Sequence, residues 1–154
     1  MSTIAEDRST HDRQLKKVVV GVDRSEHSLR ALGWAARQAA AMNVPLEVIT
    51  VWTFPEEPAP LGIEVHVPWQ DELMAEARAK LNEIIDRVIP AEDRPLLTAK
   101  VIRGRPAKEL LAASEEDDLL VVGSRGRGAA EGLLFGSVCD RCVRHARCPV
   151  VVVR

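Results

Sequence analysis

The sequence lacks long apolar runs, a strong net charge and an even set of cysteines. No stretch approaches the roughly 20 apolar residues that a membrane-spanning helix needs. The net charge is −2, from 21 basic and 23 acidic side chains, which gives no reason to expect nucleic-acid binding. The three cysteines are an odd set with no secretion signal before them, which argues against a disulfide framework. We therefore expect a cytoplasmic protein with reduced thiols.

Length and composition indicate one globular domain. A chain of 154 residues with 46% hydrophobic and 29% charged residues has the size and balance of a single-domain protein. Only the opening differs, because residues 1–14 mix small polar and charged groups without the apolar core of a secretion signal. We predict a flexible leader at 1–14 and one domain at 15–154.

Two kinds of apolar pattern alternate along the chain. Short runs rich in β-branched residues are typical of strands buried on both faces, and apolar residues recurring every three or four positions are typical of amphipathic helices. The proline-rich stretch 53–68 predicts a mobile loop. The predicted strands are 16–22, 46–52, 97–103, 119–122 and 150–153, and the predicted helices are one capped by Ser25, 69–89, 106–113 and one beginning at Ser137.

This alternation predicts an α/β fold with a doubly wound, five-stranded parallel sheet and helices on both faces. In such sheets ligands bind beyond the carboxyl ends of the strands, where the winding direction reverses. Asp23 directly follows the first predicted strand and Gly123 begins a glycine-rich segment after the fourth. We expect these two places to be neighbours and to form the ligand site.

Five glycines lie between residues 123 and 136. Glycine permits positive φ and close approach of backbone N–H groups to a ligand, and the start of the next helix adds unpaired donors. Arg125 and Arg127 offer charge-assisted hydrogen bonds, and Ser124 and Ser137 are further donors. The segment therefore predicts a phosphate cradle, and the alternative is a merely flexible connection.

Two better-known phosphate motifs are absent. A Walker loop needs a lysine after its second glycine, and the glycine-rich segment has none. The turn after the first strand, VGVDRS, is not the Gly-x-Gly-x-x-Gly of dinucleotide-binding folds. The four histidines have no serine or cysteine nucleophile placed beside them by sequence. We assign no catalytic residue and expect slow ATP hydrolysis at most.

The pattern Gly123-x2-Gly126-x9-Gly136-Ser137 resembles the nucleotide-binding signature of the universal stress protein family, in its ATP-binding, single-domain type. VGVDRSEHSLRAL, VIRGRPAKELL and HARCPVVVVR are similar to other segments of that family. The resemblance implies an adenine nucleotide alpha hydrolase-like sheet with strand order 3-2-1-4-5. It also implies that the ligand is ATP, which usually brings Mg²⁺, or alternatively cyclic AMP.

Carried onto this sequence, the resemblance implies that Asp23 contacts the nucleoside and Val51 lies by the adenine. A helix-capping carboxylate is the alternative for Asp23, although Ser25 offers an equally good cap, and plain core packing is the alternative for Val51. The signature implies that Gly123, Gly126, Gly136, Ser137 and Val138 hold the phosphates and ribose. The other predicted binding residues are Gly21, Val22, Ser25, Gly104, Ser124, Arg125, Arg127 and Gly128.

The last strand is predicted to lie at a sheet edge, and an exposed apolar edge needs covering. In the resembled family such strands pair across a two-fold axis, which implies a homodimer through Val150, Val151, Val152 and Val153. Burial of that edge within one chain is the alternative. The predicted phosphate cradle and the lack of an assigned catalytic set favour a nucleotide-dependent stress-response switch acting on an unknown protein partner, with a slow ATPase or nucleotidyl-transfer enzyme as alternative.

Cys139, Cys142, His145 and Cys148 recur every third residue, which superficially resembles a metal site. On a helix, Cys139 and His145 would lie about 9 Å apart along the axis. That is too dispersed for one tetrahedral ion. We predict instead no metal site, and buried thiols that pack the last helix against the sheet; a redox role remains open.

Overall fold

A computed structural model describes residues 14–53, 69–128, 132 and 134–154. The leader and the loop expected at 53–68 fall outside these ranges, except for Gln14 and Thr53. In these ranges no helix is both long and apolar enough to cross a membrane. The strands are β1 (Val18–Gly21), β2 (Leu46–Trp52), β3 (Leu97–Arg103), β4 (Leu119–Gly123) and β5 (Val150–Val153). The helices are α1 (Glu26–Met42), α2 (Trp69–Val88), α3 (Pro106–Ala113) and α4 (Ser137–His145), with a 3₁₀ turn at Ala91–Asp93.

The five strands form one sheet in the order β3-β2-β1-β4-β5, and every pair is parallel. This confirms the predicted fold class and strand order. The chain winds outward from β1 to β3 on one side and from β4 to β5 on the other. The reversal lies between β1 and β4, where Val20 is opposite Val121, so these two strands end side by side.

Local chemistry sets the ends of the helices. Ser25 is the N-cap of α1, and its hydroxyl accepts a hydrogen bond from the N–H of Ser28, as a helix start requires. Asn43 ends α1 in the left-handed conformation, with φ 53°, and Pro106 opens α3, where its missing N–H costs nothing. Gly136 precedes α4 and offers no side-chain cap.

The two faces of the sheet have separate cores. Val18 and Val20 point to the face that α1 and α2 cover, in a cluster with Leu32 and Leu81. Val19 points to the opposite face. This alternation is what a strand period of two produces, and burial on both faces explains the continuous valine run of β1.

The three cysteines belong to the second core, beside α3 and α4. Cys139, Cys142 and Cys148 are all buried and unpaired, whereas His145 is exposed. Burial raises the pKa of Cys142 to about 11, so its thiol stays protonated at neutral pH. The prediction that these thiols pack the last helix against the sheet is confirmed.

An ionic cluster holds the amino end of the sheet, opposite the predicted site. Glu47 on β2 is buried and lies 2.9 Å from Lys17 Nζ and 2.8 Å from Lys100 Nζ. Burial raises the pKa of Glu47, but hydrogen bonds from the two lysines lower it by more, and the net pKa lies below the ordinary value. Glu47 therefore remains ionised and links residues from three parts of the chain.

Candidate functional site

A cavity of about 940 Å³ opens at the carboxyl ends of β1, β2 and β4. It lies at the winding reversal, which is where the sequence placed the site, and its volume suits a ligand of nucleotide size. One wall is formed by apolar side chains of α2, including Leu73 and Ala77. The opposite wall is formed by the glycine-rich segment and the first turn of α4.

Asp23, immediately after β1, anchors the glycine-rich segment. Its Oδ1 accepts hydrogen bonds from the N–H of Ser25 at 3.0 Å and from the Ser25 hydroxyl at 2.5 Å. Its Oδ2 accepts one from the N–H of Arg127 at 2.8 Å. Burial raises the pKa of Asp23, but the hydrogen bonds from Ser25, Arg127 and Ser28 outweigh it and hold the pKa below its ordinary value. The carboxylate is therefore ionised at neutral pH.

Asp23 is not the cap of α1, because Ser25 fills that position. The carboxylate instead holds the capping serine by both its N–H and its hydroxyl. Arg24, between them, has a φ of 69°, a left-handed conformation that is uncommon for a residue with a side chain. The turn after β1 is thus bent so that one carboxylate reaches both α1 and the segment after β4.

Gly126 and Gly136 let the glycine-rich segment fold closely on itself. A Cβ at Gly126 would lie 2.5 Å from Asp23 Oδ2, and one at Gly136 would lie 3.3 Å from the backbone nitrogen of Gly126. The N–H of Gly136 donates to the carbonyl of Ser124 at 2.8 Å. A side chain at Gly126 would therefore force a shift of its surroundings, and one at Gly136 would make a tight contact where the two ends of the segment meet.

The first turn of α4 faces the cavity through Ser137 and Val138. Backbone N–H groups in a first helical turn have no partner inside the helix and carry partial positive charge. The preceding residue, Gly136, supplies no side chain to cap them. An acceptor from outside the chain, such as a phosphate oxygen, has the chemistry to satisfy these donors.

The structure brings most of the predicted residues together around this cavity, and the exceptions are Ser25, Gly104 and Ser124. Ser25 is engaged with Asp23. Gly104 donates its N–H to the carbonyl of Trp52 at 3.0 Å. The predicted residues that line the cavity are Gly21, Val22, Asp23, Val51, Gly123, Arg125, Gly126, Arg127, Gly128, Gly136, Ser137 and Val138.

Two lining glycines have a packing role that sequence reasoning did not foresee. A Cβ at Gly123 would lie 2.8 Å from backbone atoms of His27 and Ser28, so the end of β4 touches the first turn of α1. A Cβ at Gly21 would lie 2.7 Å from the Leu110 side chain. At Gly123 backbone atoms stand in the way, and a side chain there would push β4 and α1 apart.

Ser124 differs from the expectation that it is a phosphate donor. It is 3% exposed, lies outside the cavity lining, and places its Oγ 3.1 Å from His27 Nδ1. No local pattern indicates that this serine and histidine, 97 residues apart, would meet. Because neither residue lines the cavity, the pair is not placed to attack a ligand there.

Sequence reasoning also missed the wall formed by α2. Leu73, Glu76, Ala77 and Lys80 line the cavity, and Glu76 forms an ion pair with Lys80. The helical period identifies an apolar face but not the strand ends against which that face packs. Among the residues that the structure describes, no group of three or more His, Cys, Asp or Glu side chains is arranged to hold a metal ion.

The sequence model of the universal stress protein family matches residues 14–154. The chain belongs to this family. A universal stress protein of Mycobacterium tuberculosis is 35% identical over 151 residues, which make up 97% of this chain and 48% of that protein. One of Thermus aquaticus is 32% identical over 143 residues, which make up 90% of this chain and 98% of the relative.

The chain spans about half the length of the mycobacterial universal stress proteins that it matches, and nearly the whole length of the Thermus relative. A crystal structure of a universal stress protein in complex with cAMP is 30% identical, with a TM-score of 0.67 over 92% of this chain and 98% of the other. These similarities support the assignment of both family and fold.

Proposed function

We propose that this universal stress protein binds an adenine nucleotide, ATP, in the cavity at the winding reversal. The observation that carries the proposal is the first turn of α4, whose donors face the cavity beside Gly126 with no side-chain cap from Gly136. The base would lie toward Val51, and the phosphates would lie against Ser137 and Val138. The family member solved with cAMP supports an adenine nucleotide as the ligand class.

The charges at the mouth of the cavity favour a triphosphate over a cyclic monophosphate. Arg125 and Arg127 border the cavity on the side of the glycine-rich segment, and Arg24 and Lys80 border it on the side of α2. Each phosphate added to the ligand extends negative charge toward these cations. A triphosphate would bring Mg²⁺ with it, held by phosphate oxygens, since Asp23 already accepts three hydrogen bonds.

Cyclic AMP is the second candidate, and the complex of the 30% identical family member favours it. The two ligands make different demands on the site. A cyclic phosphate places one negative charge close to the ribose, within reach of α4 alone, whereas ATP also needs the arginines. The relative affinity for the two ligands therefore reports which part of the site is used.

In the proposed switch, the nucleotide orders the glycine-rich segment and changes what the protein presents to a partner in the cytoplasm. We further propose a homodimer through the outer edge of β5, whose four valines are each only partly buried. An edge strand offers unpaired backbone groups to a second copy. The Ser124–His27 pair described above does not line the cavity, so we assign it no catalytic role.

Titration calorimetry tests the proposal on protein first freed of nucleotide by denaturation and refolding. We expect ATP to bind more tightly than cyclic AMP, and both to bind more tightly than adenosine. Turnover of ATP should stay below about one per second, the low end of typical enzyme rates. Tighter binding of cyclic AMP would favour the second candidate, and absence of heat with all three ligands would contradict the proposal.

A further inference from the structure

Ser124 connects three parts of the fold at one point. Its N–H donates to the carbonyl of Val153, in β5, at 2.7 Å, and its carbonyl accepts the N–H of Gly136, before α4, at 2.8 Å. Its hydroxyl oxygen lies 3.1 Å from Nδ1 of His27, in α1. The residue is 3% exposed, so water cannot readily replace any of these partners.

His27 is itself fixed against β4. The Cα of Gly123 is so close to the first turn of α1 that a Cβ there would lie 2.8 Å from the carbonyl carbon of His27 and 3.0 Å from its Cβ. The histidine backbone therefore has little freedom to move away from the end of β4. The hydrogen bond between this ring and the Ser124 hydroxyl holds the serine by its side chain, independently of its two backbone bonds.

We propose that Ser124, held by His27, is a positioning residue that joins the phosphate end of the nucleotide site to the carboxyl end of β5. The orientation of its peptide groups sets where Gly136 lies, and Gly136 begins the helix whose first turn faces the ligand. Through its N–H, Ser124 also fixes the carbonyl of Val153, the last residue of the edge strand β5. This proposal rests on the proposed function for its ligand, but the positioning itself is a property of the ligand-free protein.

A consequence is that a change at His27, outside the cavity lining, alters binding inside it. Removing one hydrogen bond in a buried setting reduces affinity by roughly fivefold to tenfold if the bond is fully used for positioning. The loss should be larger for ATP than for adenosine, because the phosphates are placed against the first turn of α4 and adenosine carries none. A serine that served packing alone would give no such difference between the two ligands.

The variants that test this are Ser124→Ala, His27→Leu and the double variant. His27→Asn is the conservative variant, because its amide reaches about as far as Nδ1 and can restore the hydrogen bond. Ser114→Ala is the matched control, since Ser114 is also a buried serine that does not itself line the cavity, and its Oγ donates to the Leu110 carbonyl at 2.6 Å.

Two measurements are made on each variant. The first is amide hydrogen exchange at positions 124 and 136, measured by NMR without ligand. We expect exchange at least about fivefold faster than in wild type for Ser124→Ala and His27→Leu. The rates in His27→Asn and Ser114→Ala should stay near those of wild type. The second is calorimetric affinity for ATP and adenosine. We expect the double variant to lose no more ATP affinity than either single variant, since both remove the same bond.

Unchanged exchange at both amides in His27→Leu would overturn the positioning role, whatever the nucleotide affinities are. So would losses of ATP affinity that add in the double variant, because addition means that the two side chains act independently. If the wild-type protein binds no adenine nucleotide, the proposed function fails while the exchange rates still decide the positioning role. The two failures are therefore distinguishable.

Discussion

Asp23 Oδ2 accepts a hydrogen bond of 2.8 Å from the backbone N–H of Arg127, 104 residues later in the chain. Its Oδ1 meanwhile holds Ser25, the cap of α1. One carboxylate thus fixes both sides of the winding reversal. The position of the glycine-rich segment therefore depends on the Asp23 carboxylate as well as on the segment's own glycines.

Asp23→Asn should therefore weaken ATP binding through loss of loop position. The amide has one acceptor oxygen and cannot serve both Ser25 and Arg127, so we expect at least a tenfold rise in Kd and about 1 kcal/mol lower free energy of unfolding. Calorimetry and urea unfolding measure the two. Asp86→Asn, at an exposed carboxylate paired with Arg94, is the control and should change stability by less than about 0.5 kcal/mol. Equal effects of the two substitutions would remove the special role of Asp23.

Gly126→Ala should abolish measurable ATP binding while the fold persists. Its Cβ would lie 2.5 Å from Asp23 Oδ2, so the segment and the carboxylate that anchors it must move apart. Circular dichroism checks the fold, and calorimetry checks the binding. Gly33→Ala is the matched control, because a Cβ there would make ordinary contacts of 3.6 Å with Arg37, in α1, and Val88, in α2, and should leave binding intact. Wild-type affinity in Gly126→Ala would show that the close approach is not needed.

Arg127→Ala should distinguish the contribution of the phosphates to binding affinity from that of the nucleoside. If the guanidinium reaches the phosphates, ATP should lose about tenfold in affinity, the range of a hydrogen bond to a charged group, and adenosine should be unaffected. Parallel titrations with the two ligands measure the ratio. Raising the salt concentration should reduce the difference, since an exposed charge is screened. An equal loss for ATP and adenosine would mean that Arg127 acts on something other than phosphate.

The lowered pKa of Glu47 predicts how the free energy of unfolding changes at acidic pH. Because its folded pKa is lowered, its stabilising effect is complete above the unfolded pKa of about 4.3 and is lost as the pH falls through the folded value. In urea unfolding at several pH values, Glu47→Gln should be less stable than wild type at pH 7, and the difference between the two should shrink as the pH falls below the unfolded pKa of about 4.3. Glu26→Gln, in an exposed pair with Arg30, should follow wild type. A Glu47→Gln curve parallel to wild type would contradict this account.

The architecture could be predicted because its signals are local and repeated. The strand at 97–103 was predicted with the bounds that the structure gives β3, and Ser25 was predicted as the cap of α1. A β-branched run and a capping side chain act over a few residues, so a sequence shows them directly. The strand order was implied by family resemblance and is confirmed.

The role of a site residue could be predicted from sequence only where its residue type has one characteristic structural role. The glycines at 126 and 136 indicated close backbone approach, and both make it. Ser124 was placed with the phosphate donors because a serine in a glycine-rich segment offers a hydroxyl, but the fold turns that hydroxyl to His27. The α2 wall was missed because contacts between distant segments depend on how the helices pack over the sheet. The local sequence of α2 does not determine that packing.

The most direct measurement of the central claim is a crystal structure of the protein grown with ATP and Mg²⁺. We predict phosphate oxygens at about 3 Å from the backbone nitrogens of Ser137 and Val138, the usual N–H to oxygen distance, with the adenine toward Val51. Phosphates bound elsewhere, or a cavity closed by the protein's own side chains, would contradict the account.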